Sequence, residues 1–187
     1  VIQILAVDLG TDMLPALALG AERPDPALML RPPRARHARL LDRALLLRAY
    51  LFLGPLEAVA AMAAFFFVLD RGGWSYGATL DPHAPLYLQA TTACLAAIIV
   101  MQVMNVFLCR SETRSTLTSA PWSNRLLLPA VASEVALILW IVYSEWGNAL
   151  FGTAPLDVNV WAFALLFAPL LLTLEEARKW WMRAHRR

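Results

Sequence analysis

The 187-residue chain has only two cysteines, and they exclude a good deal. Cys94 and Cys109 fall in one apolar segment at a spacing that fits no zinc, haem or redox motif, so they read as small buried hydrophobes. The formal net charge of +2 is too small to suggest nucleic acid as a partner, and the basic residues sit in loops and a tail instead of along a helix face. No cleavable leader is visible: the chain opens on Val1-Ile2-Gln3-Ile4-Leu5-Ala6-Val7 without a charged flank or small-residue cleavage site. That opening reads as a fragment of a longer chain, starting inside or just before a helix. No short internal repeat is present, and the paired repeat expected of a gradient-driven transporter is not found.

What the chain has instead is apolar residue in long blocks. Hydrophobic residues make up 59% and mean hydropathy is +0.56, above the roughly 45–50% apolar share of soluble domains. Five segments are near the ~20 residues needed to cross ~30 Å of hydrocarbon: Val1 to Leu19, Ala49 to Leu69, Leu86 to Leu108, Leu126 to Trp146 and Val158 to Leu174. The expected fold is all-α, a single polytopic membrane domain over residues 1–187 with five transmembrane helices.

Arginine and lysine positions orient the bundle, because basic residues collect on the cytoplasmic side. The first connection carries Arg23, Arg31, Arg34, Arg36, Arg39 and Arg43, with Arg48 at the next helix's edge. The third carries Arg110, Arg114 and Arg125, and the tail carries Arg178, Lys179, Arg183, Arg186 and Arg187. The second connection has only Arg71, and the fourth has no basic residue. This alternation places the N-terminus outside and the C-terminus in the cytoplasm. Trp74, Tyr76, Tyr87, Trp122, Trp146, Trp180 and Trp181 fall where interfacial anchors belong. Ala60, Ala61, Ala63 and Ala64 form a small-residue face suited to close helix packing.

Ionisable residues inside apolar spans are expensive and therefore candidates for function. Asp8-Leu9-Gly10-Thr11-Asp12 is embedded in the first span, and helical spacing puts the oxygens of Asp8, Thr11 and Asp12 on one face. Pro15 displaces the carbonyl four residues earlier, that of Thr11, and Gly10 eases unwinding at the same place. A broken helix at membrane depth is tolerated where it lines a polar cavity. Two carboxylates, a hydroxyl and a carbonyl suit sodium, potassium, calcium or a proton, and argue against copper or zinc. The alternative is a carboxylate pair held by interhelical hydrogen bonds, or a segment lying among headgroups.

Gln102 and Asn105 in the third span fit helix–helix hydrogen bonding as readily as ion ligation. Glu134 in the fourth span leans toward function because an unpaired carboxylate there is costly, while Glu57, beside Gly54-Pro55, is balanced between function and pairing with a neighbouring helix. Glu175 and Glu176, next to Arg178 and Lys179, read as a solvated interface pair.

The run from Ile4 to Gly20, ILAVDLGTDMLPALALG, resembles the sixth transmembrane helix of P-type cation-transporting ATPases, and its DLGTD core is most like the sodium/potassium pump group. Met29-Leu30-Arg31-Pro32-Pro33-Arg34 resembles the cytoplasmic loop after that helix, which calcium pumps also carry. The resemblance extends over the chain as the family's sixth to tenth helices. It implies cation ligands at Asp8, Thr11 and Asp12. Gln102 and Asn105 fall on the eighth-helix segment, where calcium pumps place a Glu and sodium/potassium pumps an Asp. Ser133-Glu134-Val135-Ala136-Leu137 is similar to a ninth-helix stretch whose Glu is linked to a further sodium site, and Leu174 to Lys179 resembles the inner end of the tenth helix.

The resemblance further implies that ATP and Mg2+ act only through cytoplasmic domains carrying the DKTGT phosphorylation motif, which this sequence lacks. The expected partners are the lipid bilayer and the N-terminal half of the same pump, with its fourth and fifth helices; a small accessory subunit is left open. The expected location is the plasma membrane. By itself the chain is expected neither to hydrolyse ATP nor to pump. A non-catalytic truncated membrane protein or assembly partner is the competing expectation, with a secondary ion-coupled transporter behind it.

Overall fold

The computed structural model describes residues 2–22, 41–111, 114–118 and 123–185, and no strand occurs among them. The loop signature around Met29 to Arg34, the expected anchor Trp122 and the last two arginines lie outside the described residues. The chain begins with α1 (Ile2–Leu5), a π-helical turn (Ala6–Thr11) and α2 (Met13–Gly20). Next come α3 (Arg43–Leu47), a second π-helical turn (Arg48–Leu53) and α4 (Gly54–Arg71). The remainder is α5 (Pro85–Cys109), a 3-10 turn (Thr116–Thr118), α6 (Leu127–Tyr143), α7 (Glu145–Phe151), α8 (Val158–Leu165) and α9 (Phe167–His185).

Among the described residues three continuous helical stretches are long and apolar enough to cross a membrane: Arg43–Arg71, Pro85–Cys109 and Val158–His185. They contain the stretches expected at 49–69, 86–108 and 158–174. The stretch expected at 126–146 is not one straight helix: α6 ends at Tyr143 and meets α7 at 86°, and only taken together do the two reach membrane-spanning length and apolarity. Ser144 makes the corner: its backbone is extended and its hydroxyl accepts from the Gly147 N–H at 2.8 Å, starting α7. A Cβ on Gly147 would stand 2.6 Å from the Ile141 carbonyl oxygen, so the corner admits no side chain there. The stretch expected at 1–19 is a broken helix, α1 and α2 on either side of the π turn, as Pro15 and Gly10 dictate.

The alanine face packs as its composition implies. Ala60 and Ala64 are fully buried and Ala61 nearly so, with Ala64 clustered against Ala90, Ala93, Ala96 and Ala97 of α5. Without bulky side chains between them, α4 and α5 form the most extensive helix pair of the described bundle. Phe67 of α4 stacks on Phe163 of α8 at 4.1 Å, extending this core to the last helices. Large apolar residues such as Val59, Met62, Leu139, Leu165 and Leu170 stay exposed on the periphery, the pattern of a bundle whose solvent is hydrocarbon.

Polar ties hold the two ends of the bundle. Near α7, Gln3 Nε2 donates to the Phe151 carbonyl at 2.9 Å, Thr153 Oγ1 to the Ile141 carbonyl at 2.9 Å, and Tyr143 OH to the Leu156 carbonyl at 2.9 Å. At the other end Arg110 binds Glu22 at 2.7 Å and also Ser123, and Asn124 Nδ2 reaches the Ala18 carbonyl and Glu22, each at 2.8 Å. The hydrogen bond from Arg110, against some burial, holds the Glu22 carboxyl below its usual range.

Two sequence expectations are corrected here. Glu175 and Glu176 are not a solvated pair: Glu175 is fully buried, with Arg48 Nη2 at 2.6 Å and a two-pronged contact from Arg178 at 2.6 and 2.7 Å. Glu176 accepts from the Thr116 N–H at 2.6 Å. Lys179, also fully buried, donates to the Leu108 carbonyl at 3.0 Å and to Thr116 Oγ1 at 2.9 Å. The helix face that carries these residues turns inward onto α5, which neighbouring charge in the sequence does not reveal. Cys109 is exposed on the described chain and Cys94 half-buried; both are free.

Candidate ion-binding cavity

Pro15 cannot donate to the helix ladder, and the chain upstream of it departs from α-geometry over Ala6–Thr11 before α2 restarts at Met13. A second π turn, Arg48–Leu53, lies just before Pro55. Such turns break the regular ladder and are frequent at functional sites. The first carries Asp8, and the second ends four residues before Glu57; both acids line the polar region that follows.

That region holds two adjoining cavities. One, of about 570 Å³, is lined by Asp8 and Gln3 of the first stretch, Met62 and Phe65 of α4, and Thr91, Cys94 and Gln102 of α5. The other, of about 310 Å³, is lined by Asp12, Pro15, Glu57, Gln102, Asn105 and Cys109. Gln102 belongs to both walls, so it stands between the Asp8 side and the Asp12 side.

The expected ligands are therefore only partly gathered. Asp8 and Asp12 are exposed and open into different cavities, whereas Thr11 is buried, 1% exposed, and lines neither of these two cavities. Gln102 and Asn105 join Asp12 in the smaller cavity. Asn105 Nδ2 donates to Glu57 Oε1 at 3.3 Å, and its Oδ1 accepts from Cys109 Sγ at 3.4 Å. The Gln102 Oε1 atom is buried without a partner.

Glu134 stands apart from both walls. It is 1% exposed, and neither carboxylate oxygen has a hydrogen-bond partner. Its helix passes close to the break: a Cβ on Gly10 would come 2.6 Å from Leu137 Cδ2, one turn beyond Glu134. An isolated carboxylate inside a bundle is among the most costly groups a protein can bury.

Among the described residues no three His, Cys, Asp or Glu side chains come together in a way that could hold one metal ion. A cation bound here would draw on amide, hydroxyl and backbone oxygens as well as carboxylates. That donor set suits hard cations, whose shells mix carboxylates with carbonyl oxygens. Glu57, balanced in the sequence between function and pairing, has a partner in Asn105 that the sequence does not reveal. The signal for Glu57 itself was present in the Gly54-Pro55 break two residues before it, which marks the same kind of disturbed helix as Pro15.

Comparison with known proteins bears on the whole chain. The family described as "Cation transporting ATPase, C-terminus" matches residues 1–181. The sodium/potassium-transporting ATPase subunit alpha-2 of Gallus gallus is 26% identical over an alignment of 209 positions, covering 98% of this chain and 20% of that protein. The potassium-transporting ATPase alpha chain 2 of Rattus norvegicus is likewise 26% identical, with 98% and 20% covered. The sodium/potassium-transporting ATPase subunit alpha-1 of Oreochromis mossambicus is 25% identical, with 97% and 20% covered. The chain thus spans about a fifth of the length of the curated relatives it matches. With an all-helical bundle, apolar membrane-length helices and a match that runs nearly end to end, the chain belongs to the C-terminal membrane region of P-type cation-transporting ATPases.

Proposed function

We propose that this chain is the ion-binding membrane portion of an ATP-driven cation transporter, crossing the bilayer five times with its N-terminus outside and its C-terminus in the cytoplasm of a plasma membrane. The transported ion is a hard cation, Na+, K+, Ca2+ or H+. ATP and Mg2+ act on domains of the pump outside this segment, and the remaining ion-site helices belong to its N-terminal half. The asymmetry of arginine and lysine between alternate connections supports the orientation.

One observation carries the reading. Asp12, Glu57, Gln102 and Asn105 face a cavity of about 310 Å³ beside a proline-broken helix, and among the described residues no Lys or Arg is paired with Asp8, Asp12 or Glu57. Carboxylates held at membrane depth without a basic partner call for an exchangeable cation. Movement of the broken helix then changes which side of the membrane the cavity faces.

The test is cation-stimulated ATPase activity of the full-length protein. Asp8→Asn and Asp12→Asn are each expected to abolish stimulation or to shift its cation dependence by about tenfold or more, the scale of losing one direct charged ligand. Cation activation that matches wild type in both variants contradicts the proposal.

A further inference from the structure

The wall of the smaller cavity carries an acid on α4 and an amide on α5 that touch, and their geometry separates their roles. Resting on the function proposed above, we infer that Glu57 is a cation-binding residue of this cavity and that Asn105 is a positioning residue which holds it there.

Both ends of the Asn105 amide are committed. Its Nδ2 donates to Glu57 Oε1 at 3.3 Å, and its Oδ1 is turned back along α5 to accept from Cys109 Sγ at 3.4 Å, four residues on. An N–H group cannot ligate a cation, so the amide presents the cavity with a donor and not an oxygen. What it offers is a fixed attachment for a carboxylate.

Glu57 is in the opposite condition. A carboxylate has two oxygens and room for about four hydrogen bonds, yet among the described residues only Oε1 is engaged, and only by the neutral amide. No Lys or Arg is paired with it. Gln102, one turn before Asn105, lines the same cavity with its Oε1 buried and unpartnered. Two free oxygens from neighbouring helices, with Asp12 opposite, are the beginnings of a coordination shell. Pro55 and the π turn before it loosen α4 at this level, as Pro15 does for the first stretch.

The experiment measures Na+, K+ and Ca2+ singly on the full-length protein, both as activators of ATP hydrolysis and as ions bound at equilibrium. Glu57→Gln keeps the shape and an oxygen that can accept from Asn105, and it removes only the charge. A merely structural Glu57 therefore leaves affinity unchanged, whereas a ligand role lowers the apparent affinity for the activating cation about tenfold or more. Asn105→Ala removes the donor that holds Glu57 Oε1, and is expected to lower the apparent affinity in the wild-type background and to add little in the Glu57→Gln background.

Wild-type affinity in Glu57→Gln, alongside lost activation in Asp12→Asn, overturns the inference and leaves the proposed function standing. An Asn105→Ala effect of equal size in the wild-type and Glu57→Gln backgrounds overturns the positioning role of Asn105. Unchanged activation in both Asp8→Asn and Asp12→Asn overturns the underlying function. If Glu57→Gln does not accumulate in the membrane, Glu57→Asp replaces it: reduced affinity supports the inference and wild-type affinity overturns it.

Discussion

Two groups of buried charge in this bundle meet the same cost in opposite ways. Where α9 crosses the end of α5, the carboxylate of Glu175 is gripped by Arg48 and Arg178, and the ammonium of Lys179 is bound by a carbonyl and a hydroxyl. One polar atom there, Arg48 Nε, is buried and unpartnered. Around the broken first stretch, Glu134 has two orphaned oxygens, Gln102 one, and Glu57 only a single neutral donor. The first group is satisfied by the protein at all but the Arg48 Nε atom and ties helices together. The second is left short of partners, with Glu57 and Gln102 on a cavity wall and Glu134 buried apart from it, so near-complete satisfaction marks structure and a shortage of partners marks a candidate site.

The sharpest way to break this contrast is to disturb the completed group. Glu175→Gln leaves two guanidinium groups facing an uncharged side chain at a fully buried position, and is expected to destabilise the protein by about 3–5 kcal/mol, the usual cost of removing one partner from a buried ion pair. Thermal unfolding in detergent checks this, and a loss below about 1 kcal/mol would mean the cluster is only decorative.

The open group predicts the opposite sign. Glu134→Gln replaces a buried, unpartnered carboxylate with a neutral isostere, and should raise the stability of the cation-free protein by about 1–3 kcal/mol while weakening cation-stimulated activity. The two readouts together separate a functional group held at a cost from a structural one. If stability falls instead, Glu134 belongs with the completed group.

A third, smaller effect lies at the partly buried Arg110–Glu22 pair. The Arg110 contact keeps the Glu22 pKa below its ordinary value, so the stability it contributes is fully present above the ordinary glutamate value and is lost as pH falls through the lowered one. Partly exposed pairs at the rim of a bundle contribute about 1 kcal/mol. The acid limb of a melting-temperature profile should flatten by that amount in Glu22→Gln, and an unchanged profile would remove Glu22 from the set of structural ties.

Much of this organisation is readable before any coordinates. Apolar runs of membrane length locate the helices at Arg43–Arg71, Pro85–Cys109 and Val158–His185, because bilayer thickness imposes a length that composition cannot disguise. Pro15 and Gly10 locate the break at Asp12, since a missing N–H acts locally. The 86° corner after Tyr143 was not legible: it depends on Ser144 capping and on the tightness at Gly147, both features of local backbone geometry. Nor was the burial of Glu175, because a charged run such as Glu175-Glu176-Ala177-Arg178-Lys179 looks the same whether it faces water or another helix. The Asn105–Glu57 contact joins residues far apart in the chain, and only the packing of α4 on α5 creates it.

The central claim is that the carboxylates beside the break bind a dehydrated cation. Equilibrium binding of Na+, K+ and Ca2+ to full-length wild-type protein and to Asp12→Asn measures it most directly. Saturable binding of at least one of these ions, weakened about tenfold or more in the variant, is the predicted result. Equal binding by the two proteins would contradict the account.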